Sequence, residues 1–187
     1  IFRISPTSEM EAKAFAPMIK PLAIKKAAFL STNNDFGLGA AKAFSAMLER
    51  QGVAIGVMET MDPKATDLSA QLAKIKASGG DTLFVTTAVE QVTLILKQAR
   101  EQQLKARIIT TGGSQNPDQI IAQAGAAANG TMHLTTFLPW FPEKTPNPEA
   151  TSYFIAEWKK RGYDFAGCTE SFRGYDGIRT VAAAIEK

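Results

Sequence analysis

This chain of 187 residues has one cysteine, Cys168, and one histidine, His133. A lone thiol excludes an intrachain disulfide and a cysteine-rich zinc site, and it leaves the redox compartment undecided. A lone imidazole in the middle of an apolar stretch, with no acid beside it, reads as a structural side chain rather than a general base. No apolar run approaches the roughly 18 residues that a membrane-crossing helix requires. The opening segment IFRISPTSEMEAK lacks the basic flank and apolar centre of a signal peptide, which fits a mature or truncated product. No lysine closes a glycine-rich loop in the Walker arrangement, so nucleoside triphosphate hydrolysis by that route is not expected. Charge of one sign is also scarce. Lys and Arg total 21 against 18 Asp and Glu, and the basic residues are scattered through predicted helices, so the net +3 reads as a solvated surface and no nucleic-acid partner is expected.

What is present is a globular composition, 45% hydrophobic and 21% charged, in a length that suits one full domain or one domain plus part of another. Ser8-Glu9-Met10-Glu11 reads as a capping box opening a helix from about Glu9 to Leu22, bent at Pro17. Ala27–Thr32 reads as a strand. Leu38–Arg50 reads as a helix with Ala40, Ala43, Phe44, Met47 and Leu48 on one face and Gly52 as its stop. Val53–Glu59 is a second strand. Thr66 or Asp67 then caps a helix with Leu68, Leu72 and Ile75 pointing inward, which ends at Gly79-Gly80. Thr82–Thr86, Arg107–Thr110 and Thr131–Phe137 complete the strands, separated by a helix over Val89–Gln103 and a brief one capped by Asn116-Pro117. Strands and helices alternating at this spacing imply an α/β fold with a doubly wound, largely parallel sheet.

After Phe137 the rhythm changes. LPWFPEKTPNPE holds four prolines in twelve residues and reads as a crossing segment. Two helices follow it, one capped by Asn147-Pro148 and ending near Gly162, the other running from about Phe172 to Lys187, with no strand after either. They form a C-terminal helical extension.

The turn Asn33-Asn34-Asp35-Phe36-Gly37 follows the first strand, and the carboxyl edge of a parallel sheet is where open α/β folds bind ligands. Gly37-Leu38-Gly39 with Glu59 imitates a dinucleotide fingerprint, but Lys42 stands where the third glycine belongs and STNND separates strand from glycine. Asp62, Asp67 and Asp81 fall at element boundaries, where carboxylates serve as caps. No catalytic pair, metal set or cofactor is expected, and the chain does not read as an enzyme.

Phe2-Arg3 with Pro6, Lys26 to Leu30, Asn34-Asp35-Phe36-Gly37-Leu38-Gly39, Asp67-Leu68, Asp81, Lys97 to Arg100, Ala127 to Gly130 and Gly174-Tyr175-Asp176 stand in one order. In that order the chain resembles the leucine/isoleucine/valine-binding family of periplasmic binding proteins of the type I fold. The resemblance implies a two-lobed, non-enzymatic protein that captures a small-molecule ligand between its lobes and delivers it to an ABC transporter permease. Such a protein is periplasmic, or extracellular and lipid-anchored. Residues 1–137 would be the second lobe, and 138–187 the crossing segment and two helices of an otherwise missing first lobe. Matched by position, the resemblance implies ligand contacts at Asn34, Phe36, Thr87, Ala88, Gly112, Gly113 and Ser114, with Glu170 near the cleft. Relatives holding branched amino acids tend to place a tyrosine at Ala88 and an ammonium-binding acid near Gly112-Gly113. Both are missing here, so a bulkier aromatic or organic acid is expected over leucine or valine, and a ligand carboxylate would find its main receptors in the missing lobe.

Two other classes fit parts of the pattern: a sensory or regulatory domain of the same fold, and a Rossmann-type nucleotide-binding enzyme. Truncation carries a further expectation. Phe154, Ile155, Trp158, Ile178, Val181 and Ile185 would lack their native sheet, so the terminal helices should fold back on the lobe, pair with each other, or bury themselves in a homodimer hinged at Pro139 to Pro148.

Overall fold

The structure is a computed structural model, and it describes residues 3–112 and 117–186. Phe2, the Asn116 cap, Gly113, Ser114 and the terminal Lys187 therefore lie outside the described residues. The chain divides into two compact units. One runs from Thr7 to Leu134; the other holds the chain from Thr135 onward together with the N-terminal stretch ending at Pro6.

The first unit is a five-stranded, wholly parallel sheet. Its strands are β1 (Lys26–Thr32), β2 (Ala54–Met61), β3 (Thr82–Thr86), β4 (Arg107–Thr111) and β5 (Met132–His133), in the order β2-β1-β3-β4-β5. The central strands β1 and β3 are buried nearly throughout, as a sheet covered on both faces requires. On one face Phe84 collects Phe15, Phe29 and Phe44 into an aromatic cluster, with the Phe29 and Phe84 rings stacked 5.3 Å apart. This face is covered by α1 (Ser8–Phe15) and α2 (Asp35–Arg50). On the other face Leu30, Leu83 and Val85 meet α3 (Ser69–Ala77), α4 (Val89–Glu101) and α5 (Pro117–Ala124) through Leu72, Ile75, Val92, Ile95 and Ile120. The doubly wound arrangement follows from strands that carry apolar side chains on both faces.

Several element ends differ from the sequence-based expectation, each for a local reason. Thr7, not Ser8, caps α1: its hydroxyl accepts from the Met10 amide. The helix stops at Phe15, and Pro17, lacking an amide donor, sits in a single 3-10 turn over Ala16–Met18 instead of bending a longer helix. Helix α2 begins earlier than expected because Asn34 caps it, accepting from the Gly37 amide at 2.9 Å. The expected strand Thr131–Phe137 shrinks to Met132–His133. Its one partner, β4, pairs with it only at Ile109 and Thr110, and the Leu134 amide makes the last bond, to the Thr110 carbonyl.

At the opposite, amino edge, Asp81 Oδ2 accepts the amides of Lys25 and Lys26, both at 2.9 Å, and Oδ1 accepts from the Thr82 hydroxyl. Burial pushes this carboxyl up, but those bonds and the nearby Arg107 outweigh it and hold the group below the usual aspartate range. Asp81 thus staples the starts of β1 and β3.

In the second unit, α6 (Pro148–Lys160) is capped by Asn147, and α7 (Cys168–Ile185) follows a 3-10 turn, so it starts a turn before the expected Phe172. The two helices pair with each other. Phe154, Ile155 and Cys168 are buried against Phe137, Trp158, Phe165, Phe172 and Tyr175. Cys168 is fully enclosed, and burial pushes its thiol pKa up, away from reactivity. Ile178, Val181 and Ile185 remain exposed, at 75%, 59% and 79%.

Candidate functional site

At the carboxyl edge of the sheet β1 ends in Ser31-Thr32, β3 in Thr86 followed by Thr87, and β4 in Thr110-Thr111. Parallel register brings these hydroxyls side by side. Thr32 Oγ1 donates to Thr87 Oγ1 at 2.7 Å, and the Thr86 and Thr111 hydroxyls are 2.7 Å apart. All four are buried. The Thr32 and Thr87 end of this row lines a concavity of about 490 Å³, together with Asn34, Phe36, Pro63, Ala88, Glu90 and Gln91.

Of the residues expected at the site, Asn34, Phe36, Thr87 and Ala88 line this one concavity. The carbonyl oxygen of Asn34 is engaged in the α2 cap, which leaves its amide N–H groups as the donors it can offer there. Phe36, in the first turn of α2, is 46% exposed, unusual for a ring on an otherwise buried sheet edge. Gly37 explains how the ring reaches the rim. A Cβ there would come within 2.9 Å of the Thr32 amide nitrogen and closer still to its carbonyl oxygen, so only glycine lets α2 begin pressed against the end of β1. Gly112 follows β4 with φ +62, and the Phe36 ring tip, Cζ, stands 2.6 Å from where its Cβ would be. Gly113 and Ser114 lie outside the described residues. Glu170 belongs to the other unit, in the first turn of α7, where it pairs with Arg173.

Four wall residues were not anticipated. Pro63 arrives from the loop after β2, the strand beside β1; Thr32 ends β1 itself; Glu90 and Gln91 form the first turn of α4, entered from Ala88. The signal for Thr32 was its place at the end of the first strand; that for Pro63, Glu90 and Gln91 was a position beyond the ends of neighbouring strands, which becomes readable only once the strand order is known. Glu90 is the one charged side chain among the wall residues. The first-turn amides of α4 have no intrahelical partners, as at any helix start, and Ala88 brings no side-chain acceptor to them.

His133 is on β5, away from this wall. Its Nδ1 is 2.6 Å from the Thr110 hydroxyl, its Nε2 is buried without a partner, and burial lowers its pKa to about 4. It is a neutral structural imidazole. Among the described residues no group of three or more His, Cys, Asp or Glu could hold a metal ion, and no helix is long and apolar enough to cross a membrane.

A family model described as periplasmic binding protein matches residues 1–187. The chain belongs to the periplasmic binding protein family. Its parallel five-stranded sheet flanked by helices is the type I fold of that family, as a leucine binding protein from Thermotoga maritima illustrates: TM-score 0.81 at 23% identity, over 96% of this chain and 50% of that one. The leucine-, isoleucine-, valine-, threonine- and alanine-binding protein of Pseudomonas aeruginosa is 27% identical over 87% of this chain and 42% of its own length. A solute binding protein of an ABC transporter from Rhodopseudomonas palustris, solved in complex with 4-hydroxybenzoate, superposes with TM-score 0.72 at 21% identity over 94% of this chain and 46% of that one. This periplasmic binding protein chain thus spans about half the length of the relatives it matches.

Proposed function

We propose that this chain is the second lobe of a two-lobed solute-binding protein that captures a small organic ligand and passes it to the permease of an ABC importer. In this reading the protein works in the periplasm, or outside the cell on a lipid anchor, and does no chemistry on its ligand. The segment from residue 138 onward belongs to the first lobe. The observation that carries the proposal is the concavity at the carboxyl edge, which a half-exposed Phe36 ring lines together with Thr32 and Thr87, at the place parallel α/β sheets use for ligands. An exposed ring of this kind gains by being covered, and a bound ligand covers it.

The preferred ligand is an aromatic or otherwise extended organic acid. Ala88 leaves room and offers no hydroxyl, Gly112 offers no carboxylate, and a flat ring stacks well on Phe36. The Rhodopseudomonas palustris structure with 4-hydroxybenzoate supports this choice. A second reading is favoured by Glu90, whose carboxylate in the wall can receive the ammonium of an α-amino acid such as those named for the Pseudomonas aeruginosa relative. Calorimetric titration of the full-length gene product with 4-hydroxybenzoate, leucine and valine separates them. The first reading requires the aromatic acid to bind more tightly. Tight leucine binding that disappears in Glu90→Gln, with no affinity for the aromatic acid, establishes the second and refutes the first.

A further inference from the structure

The Phe36 ring is held from three directions, and two of the three holds are glycines. Behind it, Asn34 caps α2 through the Gly37 amide, which sets the first helical turn. Beneath it, the missing Cβ of Gly37 lets that turn lie on the end of β1. Ahead of it is Gly112. The three ring atoms Cζ, Cε2 and Cε1 lie 2.6, 3.1 and 3.7 Å from the position a Gly112 Cβ would take, so the para end of the ring points at bare backbone. Gly112 also adopts φ +62, the left-handed region that disfavours residues with a Cβ. Backbone conformation alone would justify a glycine there; the ring seated in the vacant Cβ volume is a separate reason.

Resting on the reading of this concavity as the ligand site, we infer that Gly112 is a positioning residue: it acts on ligand selection through Phe36 and not by touching the ligand. With the ring tip seated on Gly112, Phe36 closes the gap between the loop after β1 and the loop after β4 and presents one face across from Thr87 and Ala88. Any side chain at position 112 unseats the ring and turns it into the concavity or out of it. The cleft then loses its flat wall, and discrimination between planar and branched ligands falls with it.

The test uses the full-length gene product labelled with fluorophenylalanine and read by fluorine NMR, the Phe36 signal being the one that vanishes in Phe36→Leu. Binding is followed by titration with 4-hydroxybenzoate and with leucine. Gly112→Ala is expected to shift the Phe36 signal and to weaken 4-hydroxybenzoate binding about tenfold, whereas in the Phe36→Leu background the same change costs less than about twofold, the non-additivity of two residues acting as one unit. Phe36→Tyr, whose added hydroxyl projects at the Gly112 backbone without altering its conformation, is expected to displace the ring in the same way, and it keeps the test open should Gly112→Ala not fold. An unmoved Phe36 signal in both variants overturns the inference. So do losses that add across the two backgrounds, which would mean that position 112 meets the ligand directly. A full-length protein that binds neither probe while both variants still move the Phe36 signal supports the seating of the ring and refutes instead the reading of the concavity as a ligand site.

Discussion

Lowering the pH from 7 to 5 should destabilise the unit that contains His133 by about 2 kcal/mol, with no ligand present. The imidazole has a pKa of about 4 in the fold against 6.5 for the free group, because burial disfavours its charged form. The sign follows from that depression. The unfolded chain takes up a proton near pH 6.5 and the folded one only near pH 4, so stability is complete well above 6.5, is lost as the pH falls between these values, and levels off below 4. The full difference is roughly 3 kcal/mol, of which about 2 kcal/mol lies between pH 7 and 5. With one histidine in the chain, His133 is the side chain whose ordinary value, 6.5, lies in this window, and the lowered Asp81 carboxyl has its midpoint below 3.8, outside it. Thermal unfolding followed by circular dichroism at pH 7, 6 and 5 should show the midpoint falling by about 4 to 8 °C in total. His133→Gln should flatten this dependence while still offering a partner to the Thr110 hydroxyl. A wild-type midpoint that does not move over this range, or a slope that survives in His133→Gln, would show that the imidazole is not desolvated as its surroundings require.

Phe36→Ala should weaken ligand binding by the full-length protein by about 1 to 3 kcal/mol in calorimetry while leaving the unfolding midpoint nearly unchanged, because the ring is half-exposed; an unchanged affinity makes the ring a structural feature only. Gly37→Ala should cost about 3 kcal/mol in denaturant unfolding, since the new methyl group meets the Thr32 backbone rather than a movable side chain, and a variant as stable as wild type would refute the close approach of α2 to β1. The exposed ridge Ile178, Val181 and Ile185 should drive this chain into a homodimer when no other polypeptide covers it. Light scattering should then give twice the monomer mass, reverting to the monomer in Ile178→Asp/Ile185→Asp, and a wild-type monomer at every concentration removes that role.

Element type was legible in the sequence because it depends on neighbours within a turn or two. The apolar core of Thr82–Thr86, the inward set Leu68, Leu72 and Ile75, and the Asn147-Pro148 helix start all stand where local pattern places them. Local pattern misplaced ends that depend on what lies alongside. The stretch after Leu134 has strand composition, but among the described residues β5 pairs with β4 only through Met132 and His133. The cleft divides in the same way. Asn34, Phe36, Thr87 and Ala88 could be found by their place after predicted strands, because a parallel sheet puts every such loop on one edge. Pro63 and Glu90 could not be ranked as wall residues until the order β2-β1-β3-β4-β5 brought their loops beside that of β1. Nor could spacing say that the ring of Phe36 ends on Gly112. That contact joins segments from two strands that are not neighbours in the sheet, and the packing of α2 against β1 decides it; nothing in the residues adjacent to either one does.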